Sequence, residues 1–394
     1  MINQSIPRKL KNSYFSYFLM FNFYYFAWAV FSALTSVYLM GKGFNATEVS
    51  FIVSASFLSS MITQPFIGIA SDRFGIKRIN IILFVLAAAG GVFFIFADSF
   101  ITILIGYSFV LLLLNGTNPM IEKTATASPY EYGKIRIWGT IGYAMGSQAA
   151  GLIYDYISPS AVFITFVITI VISTIGVFYT NPKEAKPISL ENKEQSKIST
   201  LFTNRKFIYY LCIYGIFTGL TSMANTYIPT MFTSEGLSAS TASVILSLAV
   251  LCELPIVFYS SRYMDRFSNK VLMITAIFVT LLQFLSYSVS LPLVLQIITT
   301  FMAKHTMGML FIMVNLKAVN TLVEPHHQIT ALAFAATIKN LMSIVFQTVG
   351  GTMIDSLGYH PLFLISSIAM VICLIMTALF KIPSGNDLKL FSGK

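Results

Sequence analysis

Residues Gly68–Arg78 read GIASDRFGIKR and stand between two long apolar runs, the second of which is INIILFVLAAAGGVFFIFA at 79–97. Only 10% of the 394 residues are charged, yet Asp72, Arg73, Lys77 and Arg78 put four charges into this one short bridge. Apolar runs that stop at a knot of charge and resume at once are what a chain shows where it turns back at a water boundary.

Composition carries that reading outward. Length alone would allow two or three soluble domains. The chain is 56% hydrophobic with a mean hydropathy of +0.76, more apolar surface than a water-soluble fold can bury. Apolar stretches near 20 residues recur throughout, each long enough to cross a hydrocarbon core of about 30 Å. Membrane strands would be half that length and alternate in hydrophobicity; these runs are continuous, so the expected fold is an all-α polytopic membrane protein. The net charge of +10 is gathered in particular loops rather than spread as a nucleic-acid footprint. Cys212, Cys252 and Cys373 all lie inside apolar runs and read as small buried residues rather than a disulfide framework.

Twelve spans are expected. The first six run about 13–40, 47–70, 79–98, 100–122, 134–156 and 159–180; the second six run about 206–232, 239–262, 270–289, 291–318, 328–354 and 360–382. This divides the chain into a six-helix bundle at 1–180, a polar linker at 181–205 and a second six-helix bundle at 206–394. The basic N-terminal segment runs into an apolar stretch too long for a signal-peptide core, so it reads as a retained first helix. Lys and Arg fall in alternate loops: Arg8, Lys9 and Lys11; Arg73, Lys77 and Arg78; the central linker; and Arg262, Arg266 and Lys270. The opposite loops hold Lys42 and little else basic. That asymmetry places both termini and the linker in the cytoplasm, with the protein in the plasma membrane.

Two internal echoes support a duplicated half. Asp72-Arg-Phe-Gly-Ile-Lys77 matches Asp265-Arg-Phe-Ser-Asn-Lys270, and Gly151-Leu-Ile-Tyr-Asp155 matches Gly351-Thr-Met-Ile-Asp355. Each pair occupies corresponding places in the two sets of spans.

With Gly68, Asp72, Arg73, Gly75, Lys77 and Arg78 in place between spans two and three, the opening stretch resembles the signature loop of the major facilitator superfamily. The resemblance extends over the chain through the span count and the half-repeat. It implies that Gly68, Asp72, Arg73, Gly75, Lys77 and Arg78, and Asp265 with Arg266 in the second half, belong to the conformational switch. Gly75 is expected at a turn that only glycine makes freely, with Lys77 and Arg78 near anionic headgroups. A narrower resemblance lies in IEKTATASPYEYGKIRIWGTIGYAMGSQAAG at 121–151, similar to the lactose permease, oligosaccharide and phenylpropionate proton-symporter group. That likeness implies substrate contact by Arg136 and ring stacking by Tyr143. Asn118 stands where an acidic partner completes the galactoside site, so galactoside specificity is not implied. In the second half the resemblance marks Glu253 as an embedded carboxylate, Lys304 and His305 as neighbours of a family histidine, and Lys339 as a helix-eleven basic residue. Met307 and Gly308 replace the acidic residue that follows that histidine in the family.

A charge within hydrocarbon costs at least about 2.5–3.5 kcal/mol, so such residues face a cavity or a partner. Glu253, with apolar neighbours on both sides, is the expected proton carrier, with Lys304 and His305 beside it in that role; its alternative is a structural ion pair with Lys304, Lys317 or Lys339. Arg136, Tyr143, Asn118, Lys339, Asn22 and Asn315 are the expected solute contacts. Glu122 is expected to pair locally with Lys123. The aromatic run FNFYYFAW at 21–28 reads chiefly as lipid-facing.

No metal-ligand cluster, nucleophilic triad or phosphate-binding glycine loop is present in the sequence, so neither an enzyme nor a cofactor is expected. Without a nucleotide site, pumping must draw on an ion gradient. The expected function is a monomeric, proton-coupled symporter importing a small polar solute, a sugar or oligosaccharide first. A small organic anion or a nucleoside is the alternative cargo. A multidrug/proton antiporter is disfavoured because GTIGYAMGSQAAGLI lacks the Gly-Pro element of such exporters.

Overall fold

The computed structural model describes residues 11–181, 203–289, 291–324 and 327–385; most of the expected linker therefore lies outside the described residues. No strand occurs among them. The helices are α1 (Tyr14–Ser32), α2 (Thr35–Gly41), α3 (Ala46–Phe74), α4 (Ile76–Ile95), α5 (Phe100–Thr126), α6 (Tyr132–Tyr156) and α7 (Ala161–Tyr179). After the linker come α8 (Arg205–Ser234), α9 (Ala239–Leu251), α10 (Glu253–Phe258), α11 (Ser260–Tyr263), α12 (Asn269–Ser288), α13 (Leu293–Ala303), α14 (Thr306–Leu322), α15 (Gln328–Leu357) and α16 (Tyr359–Leu379). Joining α1 to α2, α9 to α10 and α13 to α14 gives twelve membrane-length segments, close to the expected ends. Eleven of them are apolar enough to span by hydropathy alone. The exception is α6, which carries Lys134, Arg136 and Asp155 and a row of glycines, so its interior is the least oily.

Two compact units are formed. One gathers the described residues within Met1–Gly43, Ala55–Ser189 and Phe232–Ser247; the other gathers those within Phe44–Ser54, Leu190–Met231 and Leu248–Lys394. The first few turns of α3 and of α9 thus group with helices from the opposite half of the chain.

In the first unit, α1 packs on α6 and α7, and α4 packs on α5 and α7. Glycine permits the closest of these approaches. A Cβ on Gly142 would strike the Asn22 carbonyl, one on Gly146 the Phe26 carbonyl, and one on Gly176 the Met20 backbone. Backbone cannot yield as a side chain can, so Gly146→Val is expected to cost about 3 kcal/mol or to prevent folding outright. A melt and an elution profile in detergent check this; a native profile with an unchanged midpoint would contradict it. The aromatic run does not face lipid as expected. Phe21 and Tyr24 are fully buried, as is Phe31 beyond it, the last against Phe94, Phe163 and Phe166 with ring centroids 4.7–5.6 Å apart. In the second unit, α12 packs on α16 and α14, and Phe217 stacks on Phe311 at 4.0 Å. The three cysteines are free; Cys373 is buried, whereas Cys212 is exposed.

The repeated charged loops do matching work. Gly75 adopts φ 90°, the left-handed turn that favours glycine. Its counterpart makes the turn another way, with Ser268 capping α12 through its side chain. Lys77 Nζ donates to the Thr180 carbonyl at 2.7 Å, where α7 ends. Lys270 Nζ donates to the Ala378 carbonyl near the end of α16. Each lysine meets the partial negative charge of a helix C-terminus, which explains its recurrence. Lys42, the exception to the basic-loop asymmetry, bonds to Asp98 at 2.6 Å. Burial works against its ammonium, but the bonds to Asp98 and Tyr38 outweigh burial and raise its pKa.

Candidate functional site

Three helices of the first unit bring one polar cluster together. From α5 comes Glu122, four residues and so one turn beyond Asn118 on the same face. From α6 come Tyr132 and Arg136, and from α1 comes Tyr25. The Glu122 carboxylate accepts from Tyr25 Oη at 2.8 Å on one oxygen and from Tyr132 Oη at 2.7 Å on the other. Arg136 Nε lies 3.6 Å from Glu122 Oε1, with both side chains 27% exposed. The guanidinium also sits 5.5 Å from the Tyr25 ring centroid, within cation–π range. Asn118 Nδ2 donates to Tyr25 Oη at 3.0 Å. Tyr25 and Trp28 lie parallel, 8° apart, with centroids at 6.1 Å.

The expected local pair of Glu122 with Lys123 is therefore not formed. Lys123 is exposed, and the helical turn carries Glu122 toward α1 and α6 instead. Sequence reasoning missed Glu122, Tyr25 and Tyr132. The available signal was the i,i+4 relation of Glu122 to Asn118, which moves the acidic group one turn along α5 rather than deleting it.

Other expected contacts are placed as follows. Tyr143 lies half-buried on α6, two turns from Arg136. Asn22 is buried and spends its amide on the Trp138 carbonyl at 3.1 Å, tying α1 to α6. In the second unit, Asn315 accepts from Tyr210 Oη at 2.8 Å. Lys304 and His305 occupy the break between α13 and α14, and Lys304 Nζ donates to Asn225 Oδ1 at 2.7 Å. Lys339, on α15, makes no hydrogen bond or ion pair among the described residues. Glu253 is half-buried and opens α10, just after the helix breaks at Cys252. A carboxylate in the first turn of a helix is favoured by the peptide dipoles. Lys317 is fully buried and donates to the carbonyls of Met264 and Phe267, the latter at 2.7 Å, with the Asp265 charge nearby. It holds the second charged loop rather than merely anchoring at a surface. In the first loop, Asp72, Arg73 and Arg78 are exposed and Gly68 has open space about its Cα; Arg266 is exposed in the second. Among the described residues no three metal-ligating side chains cluster.

The Glu122–Arg136 cluster offers acceptors and donors side by side next to a flat aromatic face. Hydroxyl groups both donate and accept, so such a pair suits a polyol, and Arg136 supplies a rigid fork of donors. Twelve membrane-length segments among the described residues, with a polar cluster held within the first unit, mark a polytopic membrane transporter.

The chain belongs to the MFS_1 like family, whose model matches residues 14–365. It is 24% identical over 365 residues to the maltose permease of Geobacillus stearothermophilus, covering 90% of each chain. It is 23% identical over 283 residues to a "Probable 3-phenylpropionic acid transporter" of Escherichia coli (strain K12), covering 70% of this chain and 73% of that one. Among solved structures it is similar to a D-xylose-proton symporter, with a TM-score of 0.73 at 14% identity, covering 94% of this chain and 97% of the other. The last likeness concerns the fold alone.

Proposed function

We propose that the protein is a proton-coupled symporter that imports a small polar solute of the sugar or oligosaccharide class by alternating access. The observation that carries this reading is the Glu122–Arg136 pair with its two tyrosine hydroxyls and adjoining aromatic face. A solute hydroxyl can take the place of each tyrosine hydroxyl on the carboxylate, while the guanidinium donates to a second oxygen. The maltose permease, by its name, supports a sugar as cargo. Glu253 is the proposed proton carrier, with Lys304 and His305 at the α13–α14 break beside the same task. Arg136, Tyr143, Asn118 and Lys339 are the proposed solute contacts, with Asn22 and Asn315 supporting them through the helices they tie.

A second reading, a small organic acid as cargo, is favoured by one specific observation. Lys339 has no partner among the described residues, and Lys304 has an amide rather than a carboxylate. Two embedded cations without acidic partners would welcome an anion.

The test is a thermal-shift screen of the purified protein against mono- and disaccharides, nucleosides and aromatic acids, followed by proton flux in vesicles with the hits. A sugar is expected to raise the midpoint and to drive alkalinisation outside energised vesicles. Stabilisation by aromatic acids alone would install the second reading. Solute uptake with no proton movement would sink the coupling.

A further inference from the structure

Beyond α16 the chain turns back onto its own bundle. Residues 380–385 carry no helix and run to the start of α12. Phe380 is buried with its ring against Tyr209, centroids 5.0 Å apart, and the Tyr209 hydroxyl donates to the Met376 carbonyl at 3.0 Å. The Pro383 carbonyl accepts from Asn269 Nδ2 at 3.1 Å, and the Ser384 carbonyl accepts from the Asn269 N–H at 3.0 Å. Asn269 is the first residue of α12, so Ser384 satisfies one orphan amide donor of that helix, while Ser268 caps another at Val271. All of these residues belong to the second unit.

The end of this strap is wedged where only glycine fits. Gly385 is buried and adopts φ 70°, a conformation that favours glycine. A Cβ there would lie 2.7 Å from Thr321 Cγ2, 2.8 Å from Asn269 Nδ2 and 3.2 Å from Lys317 Cε. Asn269 Nδ2 also donates to Thr321 Oγ1 at 3.1 Å. The strap, the start of α12 and the last turns of α14 thus meet at one point, and that point covers the stem of Lys317.

Lys317 gives the cover its meaning. The side chain is fully buried, and its ammonium donates to the Met264 and Phe267 carbonyls, which bracket Asp265 and Arg266 in the second charged loop. Such charge-assisted bonds hold firmly while water is kept from competing for them, and the strap excludes water along the stem. One group favours release: Asn269 Oδ1 is buried with no hydrogen-bond partner among the described residues, so water reaching it would offset part of the cost of lifting the strap. In the first loop the matching position holds Ile76, which offers no side-chain donor to a strap. The end of α7 is met there by Asn12 and Lys77 instead, through the Tyr179 and Thr180 carbonyls. The strap is therefore particular to the second half.

We propose that residues 380–385 are a regulatory strap. Seated, they keep Lys317 dry and the second charged loop fixed; lifted, they free that loop, so the segment after α16 sets how fast the protein cycles. The inference rests on the alternating-access reading, in which Asp265 and Arg266 belong to the moving parts. The loop shifts only when the ammonium lets go of its two carbonyls, and the seated strap withholds the water that would replace them. Releasing the strap lowers the barrier to cycling without touching the proposed solute contacts.

The test uses the full chain with Gly385→Val, whose side chain cannot enter the wedge. Hydrogen exchange of the 262–270 amides is expected to quicken by about tenfold. Lys317, protected in the parent, is expected to become open to reductive methylation, read by mass spectrometry. The 71–78 amides of the first loop should keep the parent rate. In liposomes the maximal uptake rate of a screened solute is expected to rise by about threefold, with KM within about twofold of the parent. Parent-like exchange at 262–270, a Lys317 that stays protected beside a loosened loop, or a loosened loop with an unchanged maximal rate would each overturn the proposal. If the valine variant does not fold, Gly385→Ala, which adds one carbon at the same place, decides: exchange at 262–270 is expected to quicken by about threefold, and an unchanged rate overturns the strap. A parent that carries no screened solute sinks the symport reading, while exchange and methylation still decide the strap.

Discussion

Glu253→Gln is expected to abolish uphill accumulation while leaving exchange of solute across the membrane intact. The side chain opens α10 at the helix break after Cys252, half-buried within an otherwise apolar segment. Placing a charge at such depth costs at least about 2.5 kcal/mol on insertion scales, so the group is retained against a standing penalty. Glutamine has the shape of protonated glutamate and cannot lose a proton. A carrier fixed in that form completes the loaded half of the cycle in both directions, which is all that exchange requires. Net transport also needs the empty carrier to return without its proton, and the glutamine variant has no deprotonated form to return in. The measurement is uptake in energised vesicles beside exchange in de-energised ones. Accumulation that survives in the variant would move the coupling elsewhere.

The helical framework was legible because a membrane span is set by length and apolarity, both additive properties of the sequence. The ends came out close, as at Gly75, whose turn was expected and whose φ is 90°. The half-repeat was legible as well, although its purpose was not. The sequence shows that Asp155 and Asp355 correspond; it does not show that each caps a helix start far away in the chain, Asp155 at the Ser240 N–H and Asp355 at those of Ala46 and Thr47, because that partnership is created only when the helices pack. The same limit explains the α1 aromatics. FNFYYFAW is apolar all round, so composition cannot say which ring turns inward, and the glycines of α6 decide it by letting that helix lie against α1.

The site was legible in part. Arg136 and Asn118 stood out only through the resemblance of 121–151 to a known symporter group. Glu122 was obscured by the adjacent Lys123, since neighbours in sequence suggest a pair that a helix forbids: successive residues point about 100° apart. Lys304 and Lys339 were visible as embedded cations, but only the packing of α8 shows Asn225 meeting the first of them.

Arg136→Lys is expected to lower solute affinity by about a hundredfold while the protein remains folded. Lysine keeps the charge, so Glu122 is not left uncompensated, and a pair only 27% exposed tolerates the exchange without a large loss of stability. What lysine loses is the planar fork that lies over the Tyr25 ring and reaches Glu122 and a second acceptor together. Its three donors on a flexible stem can serve the carboxylate or the solute, and ordering them for both costs side-chain entropy. Glu122→Gln should behave differently. It strands the guanidinium without its carboxylate, turns one acceptor into a donor facing one of the two tyrosine hydroxyls, and is expected to lower the melting midpoint as well as affinity. Removing both charges together, as Glu122→Gln with Arg136→Gln, should recover part of that lost stability without recovering binding, because the unpaired charge is gone while the donors and acceptors for the solute are not restored. Thermal melts and titrations with a screened solute on the parent, Glu122→Gln, Arg136→Gln and the double variant form a complete cycle. If the arginine-to-lysine exchange leaves affinity within about threefold of the parent, less than 1 kcal/mol, then Arg136 pairs with Glu122 for structural reasons and the solute is held elsewhere.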